Sequence, residues 1–244
     1  MKSVVIGGTA GVGREIAMTL AAKGHSLLIT GKDLADVEAC TVDMHLRYGV
    51  EVQGIAVDAS NSIIFIRELE KAATDFGKIN YLFLAVGASN DADEGDLEIE
   101  KVNEILSSNF LVIIMAMQIF RSKFVETERA GVIGFSSVAA IRGRNKNVIY
   151  TASKRALESY FESLRMIFYG TNVIVKYYRL GYIDTYQSYN KGLIFPKTSP
   201  KLVAQYIIRN LNASEPISYY PRYWRTVAFL IQLLPLKIFR NMAS

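Results

Sequence analysis

In the stretch Val4-Val5-Ile6-Gly7-Gly8-Thr9-Ala10-Gly11-Val12-Gly13, an apolar run breaks into a glycine-rich turn, and a helical pattern follows over Arg14–Lys23. Glycines let the backbone turn tightly and approach a ligand closely. The N-terminus of the following helix offers free N–H groups and the positive end of its dipole to an anion. Strand, glycine turn and helix in this order form the first unit of a dinucleotide-binding sheet. The spacing is G-x-x-x-G-x-G, not G-x-G-x-x-G. Gly7, Thr9, Ala10, Gly11, Val12 and Gly13 are the candidate cradle for a pyrophosphate.

The same alternation continues outward. Short apolar runs at Val4–Gly7, Ser26–Thr30, Glu51–Val57, Tyr81–Val86, Val132–Phe135, Val173–Tyr178 and Ile217–Tyr220 predict strands. Patterns of helical period predict helices over Leu34–Tyr48, Ser62–Phe76, Ile99–Phe124, Thr151–Phe168 and Pro200–Asn210. Strands this apolar, separated by helices, are buried on both faces of a parallel sheet. The expectation is an α/β Rossmann fold: one doubly wound parallel sheet of about seven strands in a single domain. That domain spans residues 1–244, with 221–244 as a tail. The acidic stretch Asp91–Glu100 reads as a solvated loop and helix start.

Composition narrows the function classes. Half of the 244 residues are apolar and the net charge is +5. No basic run precedes the C-terminus, which argues against nucleic-acid binding. The single cysteine, Cys40, points to a reducing, cytoplasmic setting. Met1-Lys2-Ser3 leads straight into the first strand, leaving no room for a signal peptide. His25 and His45 lack metal-ligand spacing and read as surface or satisfied histidines, so no metal is expected.

The second strand ends Ile29-Thr30-Gly31-Lys32. An NAD site usually has Asp or Glu at this strand end, on the ribose 2′-hydroxyl. Glycine followed by lysine repels no 2′-phosphate, and the ammonium attracts one. NADP(H) is the expected cofactor. Asp58, after the third strand, is placed to accept from the adenine amino group. Tyr150-Thr151-Ala152-Ser153-Lys154 puts Tyr150 and Lys154 on one helix face. Tyrosine with its ordinary pKa of about 10 is a poor acid-base group, and a neighbouring cation lowers that value. Ser137, at the end of the Val132–Phe135 run, has a hydroxyl to donate to a carbonyl oxygen.

In combination, these residues resemble the short-chain dehydrogenase/reductase family over nearly the whole chain. Ser137, Tyr150 and Lys154 match the family's serine, tyrosine and lysine in order and spacing, and Asn109 matches its catalytic asparagine. Gly181-Tyr182-Ile183-Asp184-Thr185 is similar to the family's P-G-x-x-x-T segment, so Ile183 and Thr185 are implied cofactor contacts. Leu84-Ala85-Val86-Gly87 stands where the family has N-N-A-G, which implies a cofactor contact at Gly87. Ile6 and Leu180 replace the usual Thr and Pro. The resemblance implies carbonyl reduction: hydride comes from the nicotinamide, Ser137 holds the carbonyl oxygen and Tyr150 protonates it. Lys154 lowers the tyrosine pKa and bonds the ribose, and Asn109 holds a water that relays protons to Lys154. It also implies a homodimer or homotetramer, joined through the helices at Ile99–Phe124 and Thr151–Phe168.

Two segments bear on the substrate. Ile141–Tyr150 carries Arg142, Arg144 and Lys146, and the tail pairs Trp224, Phe229, Leu230, Leu233, Leu234 and Phe239 with Arg222, Arg225, Lys237 and Arg240. The tail's apolar run is too short to span a bilayer. It suits either a peripheral membrane contact, with Trp224 and the arginines at the headgroups, or a helix over the substrate site or in a subunit interface. Both segments resemble the family branch that reduces the keto-sugar of decaprenyl-phosphate-linked arabinose biosynthesis, which implies a lipid-linked or polysaccharide-precursor keto-sugar. A 3-oxoacyl thioester on a carrier protein is the alternative substrate, and a non-catalytic nucleotide-sensing module is the alternative to an enzyme.

Overall fold

The computed structural model of the chain describes residues 1–126, 128–185, 195–213 and 215–242. Their strands are β1 (Lys2–Ile6), β2 (Ser26–Gly31), β3 (Val52–Ala56), β4 (Tyr81–Leu84), β5 (Ala130–Ser137), β6 (Val173–Leu180) and β7 (Ile217–Tyr220). They form one parallel sheet in the order β3-β2-β1-β4-β5-β6-β7. Helices α1 (Gly11–Ala21), α2 (Leu34–Tyr48), α3 (Ser62–Phe76), α4 (Ile99–Leu106), α5 (Val112–Phe120), α6 (Val148–Ile167) and α7 (Pro200–Arg209) cover it.

The alternation of a strand's side chains builds two cores. Val4 and Ile6 of β1 face one core with Phe65 and Leu69 of α3, Ile113 and Phe120 of α5, and Leu157 and Phe161 of α6. Val5 faces the other with Ile16 and Leu20 of α1, Met44 of α2 and Ile207 of α7. Strand order reverses between β1 and β4. Outside the carboxyl ends of these strands a doubly wound sheet leaves its ligand crevice.

Helix ends follow local capping. The Asp33 side chain accepts from Ala35 and Asp36 N–H, and Gly49 closes α2 in the left-handed conformation. The helix expected over Ile99–Phe124 is less regular. A π-helical turn, Ser107–Leu111, separates α4 from α5, and the helix stops at Phe120. By length and composition this Ile99–Phe120 segment is apolar enough to cross a membrane. Here it is a sheet-covering helix, with Val112, Ile113, Ala116, Met117 and Phe120 buried. A short 3-10 turn, Val138–Ile141, follows β5. The tail folds into α8 (Trp224–Leu233) and α9 (Leu236–Met242), while 243–244 lie outside the described residues.

The acidic stretch Asp91–Glu100, expected from its charge to be a solvated loop and helix start, is solvated only in part. Asp93 is 1% exposed, because its carboxylate is the hydrogen-bond acceptor for another helix's first turn.

Candidate active site

The glycine turn has steric causes. Gly7 has φ +81°, and a Cβ there would lie 3.0 Å from the Val86 backbone. A Cβ on Gly13 would lie 1.9 Å from the Gly7 carbonyl oxygen. Only glycine lets the turn fold onto the end of β4 and lets α1 begin directly beside it. Ala10 precedes α1 in an extended conformation without a side-chain cap, and the first turn holds no acid. Thr9, Ala10, Gly11 and Val12 are at least partly exposed around this uncapped N-terminus. These residues fit the phosphates of a dinucleotide.

Gly31 also has a packing reason. A Cβ there would fall 2.4 Å from Thr9 Cγ2, so any larger residue at the end of β2 would press on the glycine turn. Lys32 and Asp58, read separately as cofactor ligands, are brought together as an ion pair of 2.8 Å. Burial raises the Asp58 carboxyl, but Lys32 and Ser60 hold it below its usual value, while the bond to Asp58 raises Lys32. Both side chains are exposed enough that water screens the pair.

Ser137 ends β5, and its hydroxyl opposes the rise in the Tyr150 pKa that burial causes. The Ser137 hydroxyl also accepts from Ala139 N–H at 3.1 Å. Lys154, one turn beyond Tyr150, is 5% exposed and donates to the Phe135 carbonyl at 3.1 Å. Its Nζ lies 5.9 Å from the centre of the Tyr150 ring. Burial drives Lys154 down to about 8. The tyrosine departs from expectation: burial pushes its phenol up, and the groups opposing that rise are Ser137 and the charge of Arg144.

Asn109 lies in the π-helical turn, fully buried. Its Oδ1 accepts from Ala88 N–H at 2.8 Å, and its Nδ2 donates to the Ala88 carbonyl and to Ser153 Oγ, both at 2.9 Å. With both amide donors spent inside the protein, the side chain cannot donate to the expected relay water. It ties the end of β4 to α6. Gly87 sits in the gap: a Cβ there would be 2.9 Å from Asn109 Oδ1 and 3.2 Å from Lys154 Nζ. Beyond β6, Ile183 bridges to Thr198, and the Thr185 methyl would lie 3.4 Å from a Cβ on Gly11. The Gly181–Thr185 segment therefore returns to the glycine turn.

The grip on α6 includes residues not singled out from sequence. Asn147 begins the helix at φ 55° and caps nothing with its side chain. The cap comes from the loop after β4: Asp93 Oδ1 accepts from Ile149 N–H at 3.1 Å and Oδ2 from Tyr150 N–H at 3.0 Å. Asn147 N–H donates to the Asp93 carbonyl at 2.6 Å. Further along α6, the buried Glu158 accepts from Ser136 at 2.6 Å and from Arg179 at 2.7 and 2.6 Å. Their signals were faint: an Asp within a charged run, and a Glu in the turn after the lysine.

The basic stretch divides. Arg142 donates to the carbonyls of Ile231 at 3.0 Å and Leu234 at 2.5 Å, and lies 4.4 Å over the Phe239 ring. It thereby fastens the tail to the turn after Ser137. Lys146 is exposed, and Arg144 is half-buried. Trp224 is no headgroup anchor. It is 3% exposed, packed on Gly181 and edge-on to Tyr182 at 5.5 Å. Phe229, Leu230, Leu233, Leu236 and Ile238 form the tail's exposed apolar face.

The short chain dehydrogenase family profile matches residues 2–192. An L-rhamnose 1-dehydrogenase (NADP(+)) of Thermoplasma acidophilum is 28% identical over 185 residues, covering 75% of this chain and 72% of the relative. A short-chain dehydrogenase from Sphingobium yanoikuyae in complex with NADPH superposes with a TM-score of 0.83 at 15% identity, over 95% of this chain and 93% of the other. One from Burkholderia phymatum in complex with NAD gives 0.82 at 18%, over 95% and 92%.

Proposed function

Because the chain belongs to the short chain dehydrogenase family, we propose that it is an NADP(H)-dependent reductase that converts a carbonyl to an alcohol. Family membership makes it an oxidoreductase using a nicotinamide dinucleotide. The finer reading is carried by one observation: Ser137, Tyr150, Lys154 and Asn109 converge beside the end of the glycine turn's crevice. A bound nicotinamide supplies hydride to the carbonyl carbon. Tyr150, its phenol kept protonated by burial, donates a proton to the carbonyl oxygen, and Ser137 hydrogen-bonds the same oxygen. Lys154 bonds the ribose, while Asn109 holds Ala88 and Ser153 in place. Gly7, Thr9, Ala10, Gly11, Val12 and Gly13 seat the pyrophosphate, with Gly87, Ile183 and Thr185 toward the nicotinamide.

The preference for NADP(H) rests on Lys32. Lys32 would leave Asp58 to hold a 2′-phosphate, and Asp58 would then be free to accept from the adenine amino group. Because Asp58 competes for Lys32, the preference over NADH is about 10-fold, the lower end for one charge-assisted contact.

The substrate in this reading is a keto-sugar that is lipid-linked or a polysaccharide precursor. The relative named for L-rhamnose supports a sugar. The tail, which has no acidic residue from 221 to 244, supports peripheral contact with an anionic membrane surface. Residues 1–244 act as one cytoplasmic domain, assembled as a homodimer or homotetramer through α4–α5 and α6, where Ile99, Leu111, Met166 and Ile167 are exposed.

NADPH oxidation against keto-sugars, simple ketones and a 3-oxoacyl thioester tests this. Tyr150→Phe should abolish turnover and leave cofactor binding nearly intact. A Tyr150→Phe protein with normal kcat, or equal Kd values for NADPH and NADH in the wild type, contradicts the corresponding part of the reading.

A further inference from the structure

The 3-10 turn Val138–Ile141 has only four residues. So short a helix holds itself poorly, because the N–H groups at its start and the carbonyls at its end lack partners within it. Side chains meet both ends. At the start, Ser137 stands in an extended conformation, and its Oγ accepts from Ala139 N–H at 3.1 Å. At the end, one nitrogen of Arg155, Nη1, donates to the carbonyls of Ala140 at 2.7 Å and Ile141 at 3.0 Å. Hydrogen bonds from a charged donor are the stronger kind.

Arg155 follows Lys154 in α6. Lys154 reaches the Phe135 carbonyl within β5, and Arg155 reaches the turn that leaves β5. One helix therefore carries Tyr150 and Lys154 and, through the next residue, grips the turn that Ser137 caps. The cap also leaves Ser137 able to act. A hydroxyl that accepts one N–H keeps its own O–H to donate, in a direction that the turn restricts. Arg142 works differently, since it runs from the same turn out to the tail carbonyls of Ile231 and Leu234.

We propose that Arg155 is a positioning residue for Ser137. By holding the last two carbonyls of the turn, it fixes the Ser137 hydroxyl relative to Tyr150 and Lys154. This rests on the reading of Ser137 as the group that bonds the substrate's carbonyl oxygen. Arg155 acts through the turn and not on the substrate itself.

The test uses the full chain with NADPH and a ketone that the wild type reduces. Ser137→Ala should lower kcat about 10²-fold, as for the loss of one oxyanion donor. Arg155→Met and Arg155→Gln should each lower kcat about tenfold and leave the Kd for NADPH unchanged. The double variant Ser137→Ala/Arg155→Met should be no slower than Ser137→Ala, because no hydroxyl is left to position. A merely structural role would instead add its tenfold loss in both backgrounds. Additive losses, or Arg155 variants with kcat within about twofold of wild type, overturn the proposal.

A Ser137→Ala protein with normal kcat, or no ketone turned over, contradicts the reading beneath the proposal. Amide hydrogen exchange decides the turn itself without a substrate. Ser137→Ala and Arg155→Met should each speed exchange at Ala139 N–H about tenfold, while Leu157 N–H within α6 keeps its wild-type rate. An Ala139 rate unmoved by Arg155→Met overturns the link between Arg155 and Ser137.

Discussion

Asp93→Ala removes the carboxylate that caps the helix carrying Tyr150 and Lys154. Two backbone N–H groups, of Ile149 and Tyr150, lose their acceptor. Hydrogen bonds to a charged group contribute about 1.5–3 kcal/mol each. The buried site admits little water to replace them, and the negative charge at the helix N-terminus goes as well. The loss should be about 3–5 kcal/mol, at the large end for a point mutation. Asp93→Asn keeps one carbonyl acceptor but turns an NH2 toward the second N–H, so it should lose about half as much. The damage is local. Tyr150 lies in the first turn of α6, whereas Lys154 and Ser153 are held further in by Phe135 and Asn109. Displacement of the tyrosine by about 1 Å is enough to lower kcat about 10²-fold. Urea unfolding should therefore show the stability loss, and steady-state kinetics a kcat collapse with NADPH affinity nearly kept. An Asp93→Ala protein with kcat within about twofold of wild type and unfolding within about 1 kcal/mol refutes the capping argument.

Three further outcomes are expected. Gly13→Ala places a methyl 1.9 Å from the Gly7 carbonyl oxygen, so NADPH binding measured by fluorescence should weaken by about 10–100-fold; unchanged binding contradicts the cradle geometry. Lys154 is depressed from 10.5 to about 8, so between those values the unfolded chain holds a proton that the folded one lacks. The cofactor-free protein should then gain stability as pH rises through that window, and kcat/KM for NADPH should fall with an apparent pKa near 8; an alkaline limb only near 10 speaks against this. His25, buried and bonded to Ser3 at 2.8 Å, is held at about 4 against 6.5. The unfolded chain binds the extra proton in that range, so about 3 kcal/mol of stability is lost as pH falls through it. His25→Gln should flatten that slope in pH-dependent unfolding, and a slope unchanged by it shows that other groups carry the acid sensitivity.

Local order alone determined much of this protein. Apolar runs of strand length, separated by patterns of helical period, already demand a parallel sheet covered on both faces. The glycine turn follows because Gly7 and Gly13 stand where a side chain would meet backbone. Tyr150 and Lys154 share a face because four residues make about one helical turn. Helices capped by their own neighbours, such as α2 and α3, were legible to the residue.

Tertiary structure decided what neighbours in sequence do differently. Arg142, Arg144 and Lys146 read as one basic stretch. Folding turns the first to carbonyls 89 and 92 residues away, half-buries the second and leaves the third in solvent. Asp93 was indistinguishable from its solvated acidic neighbours until the chain brought it 57 residues along to Tyr150. Lys32 and Asp58 became a pair because β2 and β3 run side by side, and Trp224 went beneath Gly181 because that glycine leaves room for an indole. Periodicity and capping act within a few residues along the chain. The partner of a buried charge is chosen by the whole fold, since only the folded chain removes the water that would otherwise satisfy it.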